Sequence, residues 1–130
     1  MKLFDEVVGL IRILRSERGC PWDRAQTITS MKDDLREEME EVIQAIEMGD
    51  MDNLCEELGD TLWSILLTVE IATDNGLFTL EDVLSRVKNK IINRHPHVFG
   101  DKVARTPEDA LKLFYEAKKQ EKEMKENVKK

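Results

Sequence analysis

The amino-acid sequence predicts an all-α protein, and three observations support this fold class. Apolar residues recur every three or four positions through most of the chain, as they do on one face of a helix. Of the 130 residues, only 5% are aromatic while 36% are charged, a composition typical of amphipathic helices. The Asn75-Gly76 pair is the only Asn-Gly or Asp-Gly signal for a tight hairpin, and it stands where a helix should stop.

The first predicted helix spans residues 2–18 and ends at Gly19. Its buried stripe consists of Leu3, Val7, Leu10, Ile11 and Leu14. A loop should follow, because Pro21 and the polar run 23–29 interrupt the helical pattern. Trp22 in this loop either covers the edge of the core, which we favour, or offers a flat surface on which a base could stack.

The second and third predicted helices form an antiparallel hairpin. Ser30 with Asp33 resembles a capping box, although Thr27 could begin the second helix one turn earlier. This helix runs to about residue 48 and Gly49 ends it. The third runs from a cap at Asp50 or Asp52 to about residue 73. The short link between them makes the two helices neighbours.

Two more helices are predicted after Gly76. Thr79 caps a fourth helix that must end near His95, because Pro96 follows. The two imidazoles of the rigid loop 95–100 suit structural hydrogen bonds better than a metal site. Thr106 and Pro107 begin a fifth helix. We predict one domain over residues 1–117 and a charged tail, residues 118–130, that continues the last helix and frays.

The helical hairpin carries two acidic clusters. At 100° per residue, the carboxylates of both clusters fall at the rim of the apolar face, namely Glu37, Glu38 and Glu41 in the second helix and Glu57 and Asp60 in the third. Like charges so arranged repel one another unless a cation sits among them. Oxygen ligands without nearby Cys or His suit Mg²⁺ or Mn²⁺ rather than zinc. The alternative is a solvated acidic face.

Charge and composition exclude several classes of function. A net charge of -7 argues against non-specific binding to nucleic acid or to an anionic membrane, which needs a basic face. No apolar run approaches a membrane span of ~20 residues, and the N-terminus does not resemble a signal peptide. Two cysteines are too few for a disulfide framework. We therefore expect a cytoplasmic protein.

Five motifs together resemble the MazG-type nucleoside triphosphate pyrophosphohydrolases. In chain order they are Gly19-Cys20-Pro21-Trp22-Asp23, Gln26-Thr27, the E-E-x-x-E pattern of Glu37, Glu38 and Glu41, the E-x-x-D pattern of Glu57 and Asp60, and Arg94-His95-Pro96-His97-Val98-Phe99. They cover about residues 14–100, which is most of the chain. Any one of them could arise by chance, but five in the family's order form a specific signature.

The resemblance implies a four-helix MazG-like bundle with an additional C-terminal helix, assembled as a homodimer, although a tetramer would serve equally. It implies Mg²⁺-dependent hydrolysis of a nucleoside triphosphate to a monophosphate and pyrophosphate, as in nucleotide-pool clean-up. The metal ligands or their neighbours would be Glu37, Glu38, Glu41, Glu57 and Asp60, with Glu38 or Glu41 as the catalytic base. Substrate would contact Trp22, Lys90, Arg94 and Phe114.

Phe114 stands where tryptophan is expected, which puts base stacking by that residue in doubt. The chain also holds one such domain where longer members carry two. Two alternatives stay open. One is a narrow pyrophosphatase specific for dUTP, dCTP or phosphoribosyl-ATP, and the other is a non-catalytic helical dimer that binds a protein partner.

Overall fold

The computed structural model describes residues 1–129 and confirms the all-α fold, since no strand occurs among these residues. They form helices α1 (Lys2–Leu14), α2 (Pro21–Ala25), α3 (Ile28–Met48), α4 (Met51–Asp74), α5 (Leu80–Arg94), α6 (Pro96–Phe99) and α7 (Pro107–Lys129). The chain divides into two compact units, one from Met1 to Leu80 and one from Glu81 onward. No helix in the described part is long and apolar enough to cross a membrane.

The hairpin of α3 and α4 is the frame of the first unit, and its ends are set by capping residues. Thr27, not Ser30, is the N-cap of α3: the Ser30 amide donates to Thr27 Oγ1 at 3.0 Å and the Thr27 amide donates to Ser30 Oγ at 2.9 Å. Gly49 ends α3 with a φ of +67°, a left-handed conformation that glycine adopts without strain. Asp50 then caps α4 by accepting from the Asn53 amide.

The core of this unit lies where α1 packs against the hairpin. Its buried cluster comprises Ile11, Met31, Leu66, Leu67 and Ile71, against which Phe4, Val8, Leu35 and Leu80 pack. On α1, Phe4, Val8 and Ile11 face the core, so the stripe predicted from the sequence was wrong for Leu3, Val7 and Leu10, which remain exposed. The apolar residues of α3 and α4 recur at helical spacing. Burial of this apolar stripe fixes which side of α3 and α4 faces outward.

The segment after α1 differs from the sequence prediction in two respects. The first helix ends at Leu14 instead of near residue 18, because the Cys20 amide donates to the Leu14 carbonyl at 2.8 Å and closes a compact turn. The predicted loop contains a short helix, α2, that has Pro21 at its first position, where the missing amide costs no hydrogen bond. This turn and helix position Trp22.

The second unit comprises α6, α7 and the part of α5 beyond Leu80. The loop predicted after His95 contains the single-turn helix α6. Thr106 caps α7 by accepting from the Asp109 amide at 3.1 Å, as the Thr-Pro start predicts. Helix α7 continues through most of the charged segment 118–130, whose last residue lies outside the described residues.

Candidate metal centre and adjoining cleft

Three of the predicted carboxylates come together between α3 and α4. Glu38 and Glu41 lie on one face of α3, and Glu57 faces them from α4, with one oxygen of each within 4.8 Å of the others. All three side chains are partly buried. The antiparallel hairpin produces this meeting, since the two acidic rims run side by side along its length.

The cluster is electrostatically strained because its carboxylates face one another. A hydrogen bond to Glu41, followed by burial and nearby negative charge, raises the pKa of Glu57 to about 7. Burial, followed by the charges of Glu41 and Asp60, raises the pKa of Glu38. With its pKa raised to about 7, Glu57 beside these carboxylates favours either protonation or a cation at neutral pH.

Two oxygens of the cluster have unmet hydrogen-bonding capacity. Glu38 Oε2 and Glu57 Oε2 are buried and have no hydrogen-bond partner. Buried acceptors without partners are rare in folded proteins and indicate a missing proton donor, water or ion. The donor set is entirely carboxylate oxygen, which matches the ligand preference of Mg²⁺ and Mn²⁺. The residues therefore fit a hard divalent cation.

The remaining two predicted ligands lie beside this cluster in different settings. Asp60 is partly buried one turn after Glu57, and its charge contributes to the raised pKa of both Glu38 and Glu57. Glu37 is exposed on α3, although its charge also acts on Glu38. The geometry thus separates an inner group of three carboxylates from Asp60 at its edge and from Glu37 at the surface.

A cleft of about 320 Å³ opens next to the carboxylates. Its walls combine acidic, aromatic and aliphatic side chains: Trp22, Asp23, Met31, Asp34, Glu38, Asp60, Trp63, Ser64 and Leu67. Glu38 and Asp60 belong both to the acidic centre and to the cleft wall. A ligand in the cleft would consequently lie beside any cation held by the carboxylates.

Asp34 and Ser64 form a polar pair in this cleft that the sequence analysis missed. The Ser64 hydroxyl donates to Asp34 Oδ2 at 2.6 Å, which links α3 to α4. The signal was present in the spacing, because Asp34 precedes Glu38 by one helical turn and Ser64 follows Asp60 by one turn. The sequence analysis also missed Trp63, which follows Asp60 by three residues and so lies on the same side of α4. These residues extend the two acidic rims toward the core.

Trp22 stands at the mouth of the cleft with 63% of its surface exposed. This placement does not match the favoured interpretation of the sequence, in which Trp22 covers the edge of the core. The backbone of its segment is held from two sides. Arg15 donates to the Asp23 and Gln26 carbonyls, and the Gln26 side chain donates to the Trp22 carbonyl. An indole so exposed on an anchored backbone provides a flat apolar surface.

The other three predicted substrate contacts lie in the second unit. Arg94 donates from Nε and Nη2 to Glu121 Oε2 at 3.1 and 2.9 Å, and its guanidinium carbon lies 5.2 Å from the centre of the Phe114 ring. Phe114 thus packs against a cation as well as against His95 and Tyr115. Lys90 lines a polar groove with Arg86, Asn89, Asn93, Glu121 and Lys125.

A family model described as the MazG nucleotide pyrophosphohydrolase domain matches residues 26–99, more than half of the chain and the whole of the acidic hairpin. The chain belongs to this MazG family. The match confirms the resemblance drawn from the five motifs. It also confirms that the acidic clusters of α3 and α4 are part of an enzyme family's domain.

Known proteins resemble this MazG chain in both sequence and structure. The crystal structure of a MazG-related protein from Thermotoga maritima superposes with a TM-score of 0.74 at 34% identity, covering 88% of this chain and 98% of that one. A nucleoside triphosphate pyrophosphohydrolase/pyrophosphatase MazG from Thermotoga maritima is 45% identical over 120 residues. A nucleoside triphosphate pyrophosphohydrolase from Escherichia coli K12 is 34% identical over 126 residues.

These two curated relatives are longer than this chain. The aligned segments cover 92% and 96% of this chain but only 46% and 48% of the relatives. The chain therefore spans about half the length of each. The similarity extends over both units of the MazG chain, since nearly all of its residues are aligned.

Proposed function

We propose that this MazG chain hydrolyses nucleoside triphosphates to the monophosphate and pyrophosphate in a Mg²⁺-dependent reaction. The observation that carries the proposal is the cluster of Glu38, Glu41 and Glu57, with oxygens within 4.8 Å of one another, at the wall of a cleft of about 320 Å³. A cation site beside a pocket of mixed polarity is the arrangement that phosphate transfer to water requires. Relatives named as nucleoside triphosphate pyrophosphohydrolases support the same reaction.

The cation is proposed to be Mg²⁺, with Mn²⁺ as a substitute. Glu38, Glu41 and Glu57 would hold it, with Asp60 at the edge of the site and Glu37 as an outer carboxylate. When bound, such an ion lowers the pKa of a coordinated water and stabilises charge on the phosphate oxygens. It would also give the unpartnered oxygens of Glu38 and Glu57 a positive partner and so relieve the repulsion within the cluster.

In the proposed reaction, a water oxygen attacks the α-phosphorus and the bond to the oxygen bridging the α and β phosphates breaks. The electron pair of that bond leaves with pyrophosphate. A carboxylate accepts the proton of the attacking water, and Glu38 and Glu41 are the two candidates. Both lie in the cluster, and burial together with nearby negative charge raises the pKa of Glu38.

The nucleoside is proposed to lie in the cleft beside the carboxylates. Trp22 and Trp63 supply aromatic surfaces for stacking, a contribution of about 1–3 kcal/mol per base in other proteins. The free oxygen of Asp34, with its other oxygen held by Ser64, can accept a hydrogen bond from a sugar or base. We further propose that Lys90 and Arg94 bind phosphates, since a triphosphate in a chain of net charge -7 needs local cations.

We propose that the chain functions as a homodimer. An apolar groove of about 470 Å³ lies between α1 and α4, lined by Val7, Leu10, Ile11, Ile13, Leu14, Gly59 and Trp63. Leu10 and Ile13 remain 61% and 60% exposed, which is unusual for large aliphatic side chains grouped together. A second copy that covers this groove would remove that apolar surface from water.

The direct test is pyrophosphate release from a panel of ribo- and deoxyribonucleoside triphosphates, with Mg²⁺ and with EDTA. Wild type should release pyrophosphate only with the metal, and Glu38→Gln should lose this activity. Glu40→Gln is the matched control, because Glu40 is an exposed carboxylate on the same helix and its loss should have little effect. A response confined to dUTP, dCTP or phosphoribosyl-ATP would support a narrow pyrophosphatase instead.

The absence of release from every triphosphate would contradict the enzymatic proposal. It would leave the non-catalytic helical dimer, in which the acidic rim serves recognition of a protein partner. That alternative predicts no dependence on a divalent metal and no difference between Glu38→Gln and Glu40→Gln.

A further inference from the structure

The Arg15 side chain joins the end of α1 to the Trp22 segment and to the end of α4. Its Nη1 donates to the Asp23 carbonyl at 2.6 Å and to the Gln26 carbonyl at 3.2 Å. Its Nε donates to Asp74 Oδ2 at 2.8 Å. Only 11% of the side chain is exposed, whereas Asp74 is partly open to solvent.

The two carbonyls that Arg15 engages lie within α2 and at its C-terminal end. Asp23 follows Trp22 directly, and Gln26 is the C-cap of α2. The Asp23 carbonyl accepts from the Gln26 amide at 3.3 Å, and the guanidinium adds a shorter hydrogen bond to it and one to the Gln26 carbonyl. Without those donors, the short helix would lose the hydrogen bonds that link it through Arg15 to α1 and α4.

A second connection holds the other side of the same segment. Gln26 Nε2 donates to the Trp22 carbonyl at 3.0 Å, and Gln26 Oε1 accepts from the Ser30 hydroxyl at the start of α3. The Trp22 backbone is thus tied to α3 by Gln26, while Arg15 ties it to α1 and α4. Trp22 itself is 63% exposed.

We propose that Arg15 is a positioning residue that holds Trp22 at the mouth of the cleft and thereby sets the affinity for the nucleoside part of the substrate. This inference rests on the proposed function, because it assigns the cleft to the nucleoside. Arg15 does not line the cleft, so it acts through the Trp22 segment and not by touching the substrate.

Lysine cannot replace arginine in this role. The planar guanidinium presents several N–H donors at fixed angles, which allows one side chain to serve two carbonyls and a carboxylate together. A lysine ammonium keeps the charge opposite Asp74 but lacks this fork. Arg15→Lys therefore separates the positioning role from a purely electrostatic one.

Arg12 offers a matched control on the same helix. Its Nε lies 3.4 Å from Glu70 Oε2, and 60% of its side chain is exposed. It makes an ion pair to α4, as Arg15 does, but forms no hydrogen bond to the Trp22 segment. Arg12→Lys should therefore leave both kinetics and Trp22 accessibility unchanged.

The experiment has two readouts. Pyrophosphate release by Arg15→Lys should show a KM raised about tenfold, the effect of losing a charged hydrogen bond, with kcat within about twofold of wild type. Iodide quenching of Trp22 fluorescence should increase, measured in a Trp63→Phe background that leaves Trp22 as the single tryptophan. AMP titrated against the same fluorescence should bind about tenfold more weakly.

The outcomes separate the positioning role from the proposed reaction. Unchanged Trp22 quenching, or unchanged affinity for AMP, overturns the positioning role even where the fold is intact by circular dichroism. If Arg15→Lys does not fold, Asp74→Asn replaces it. This variant should also increase Trp22 quenching and weaken AMP binding. No change in either measurement would overturn the inference. If the wild type binds AMP but releases no pyrophosphate, the proposed reaction is refuted. The AMP affinity and Trp22 quenching of the Arg15 variant would still test the positioning role.

Discussion

Glu57 on α4 faces Glu41 on α3 with an oxygen of each within 4.8 Å of the other, and this contact between two acids raises the pKa of Glu57 to about 7. Neither helix contains a nearby lysine or arginine that pairs with this couple among the ion pairs of the described residues. The hairpin therefore brings like charges together at the one place where the cleft also begins. The acidic cluster and the turn before α2 lead to four predictions.

The stability of the metal-free protein should fall as pH rises through about 7. The pKa of Glu57 is raised from 4.5 to about 7, so the folded state binds this proton more tightly than the unfolded state does. The resulting contribution is fully present below about pH 4.5 and is lost as pH rises through about 7. Thermal unfolding in EDTA between pH 5.5 and 8.5 measures it.

Two variants separate the Glu57 effect from other titrations. Glu57→Gln should flatten the pH dependence near neutrality, whereas Glu56→Gln, which changes an exposed neighbour, should leave it in place. Mg²⁺ at pH 8.5 should restore the stability of wild type, because the cation replaces the proton. Equal pH profiles for the two variants would contradict the role of Glu57.

Metal affinity should increase with pH over the same interval. A carboxylate must be ionised to bind a cation, so Mg²⁺ competes with the proton that binds to Glu57. For one proton with a pKa of about 7, affinity at pH 6 should be about tenfold weaker than at pH 8. Isothermal titration in two buffers of different ionisation enthalpy measures both the affinity and the proton released. A pH-independent affinity without proton release would argue against this cluster as the metal site.

Replacement of Asp60 should strongly reduce turnover without unfolding the protein. Asp60 lies at the edge of the acidic centre and in the wall of the cleft. Asp60→Ala should reduce kcat/KM by about 100-fold, the usual cost of disturbing a metal site. Far-UV circular dichroism should be unchanged. Glu56→Ala, one helical turn earlier and exposed, is the control, and equal activity losses in the two variants would refute a specific role for Asp60.

Gly19 should tolerate no side chain, whereas Gly9 should. A Cβ built on Gly19 would overlap the carbonyl oxygens of Leu14 and Ile13, so the turn before α2 would have to open. Gly19→Ala should lower the free energy of unfolding by about 1–3 kcal/mol. Gly9 is inside α1 with nothing within 4 Å, and Gly9→Ala should raise that free energy by about 0.5–1 kcal/mol. Chemical denaturation of both variants measures the contrast, and effects of equal sign would contradict it.

The sequence predicted the helices because their determinants are local. Apolar spacing and capping residues such as Thr27 and Asp50 act within a few positions, so most helix limits follow from neighbouring residues. The turn after Leu14 is the exception. Its hydrogen bonds depend on the arrangement of residues 14–20. Arg15 has the sequence position of an ordinary cation at a helix C-terminus, but in the structure it connects to α4 by donating to Asp74, 59 residues later in the chain.

By itself, the sequence determined the family, the helical hairpin and the presence of carboxylates at the rims of two apolar faces, since periodicity fixes which residues share a side of a helix. Tertiary structure alone decided which of those carboxylates meet. The register between α3 and α4 brings Glu38, Glu41 and Glu57 together, leaves Glu37 exposed and sets Ser64 against Asp34. The physical reason is that register depends on core packing between distant segments, which no local pattern specifies.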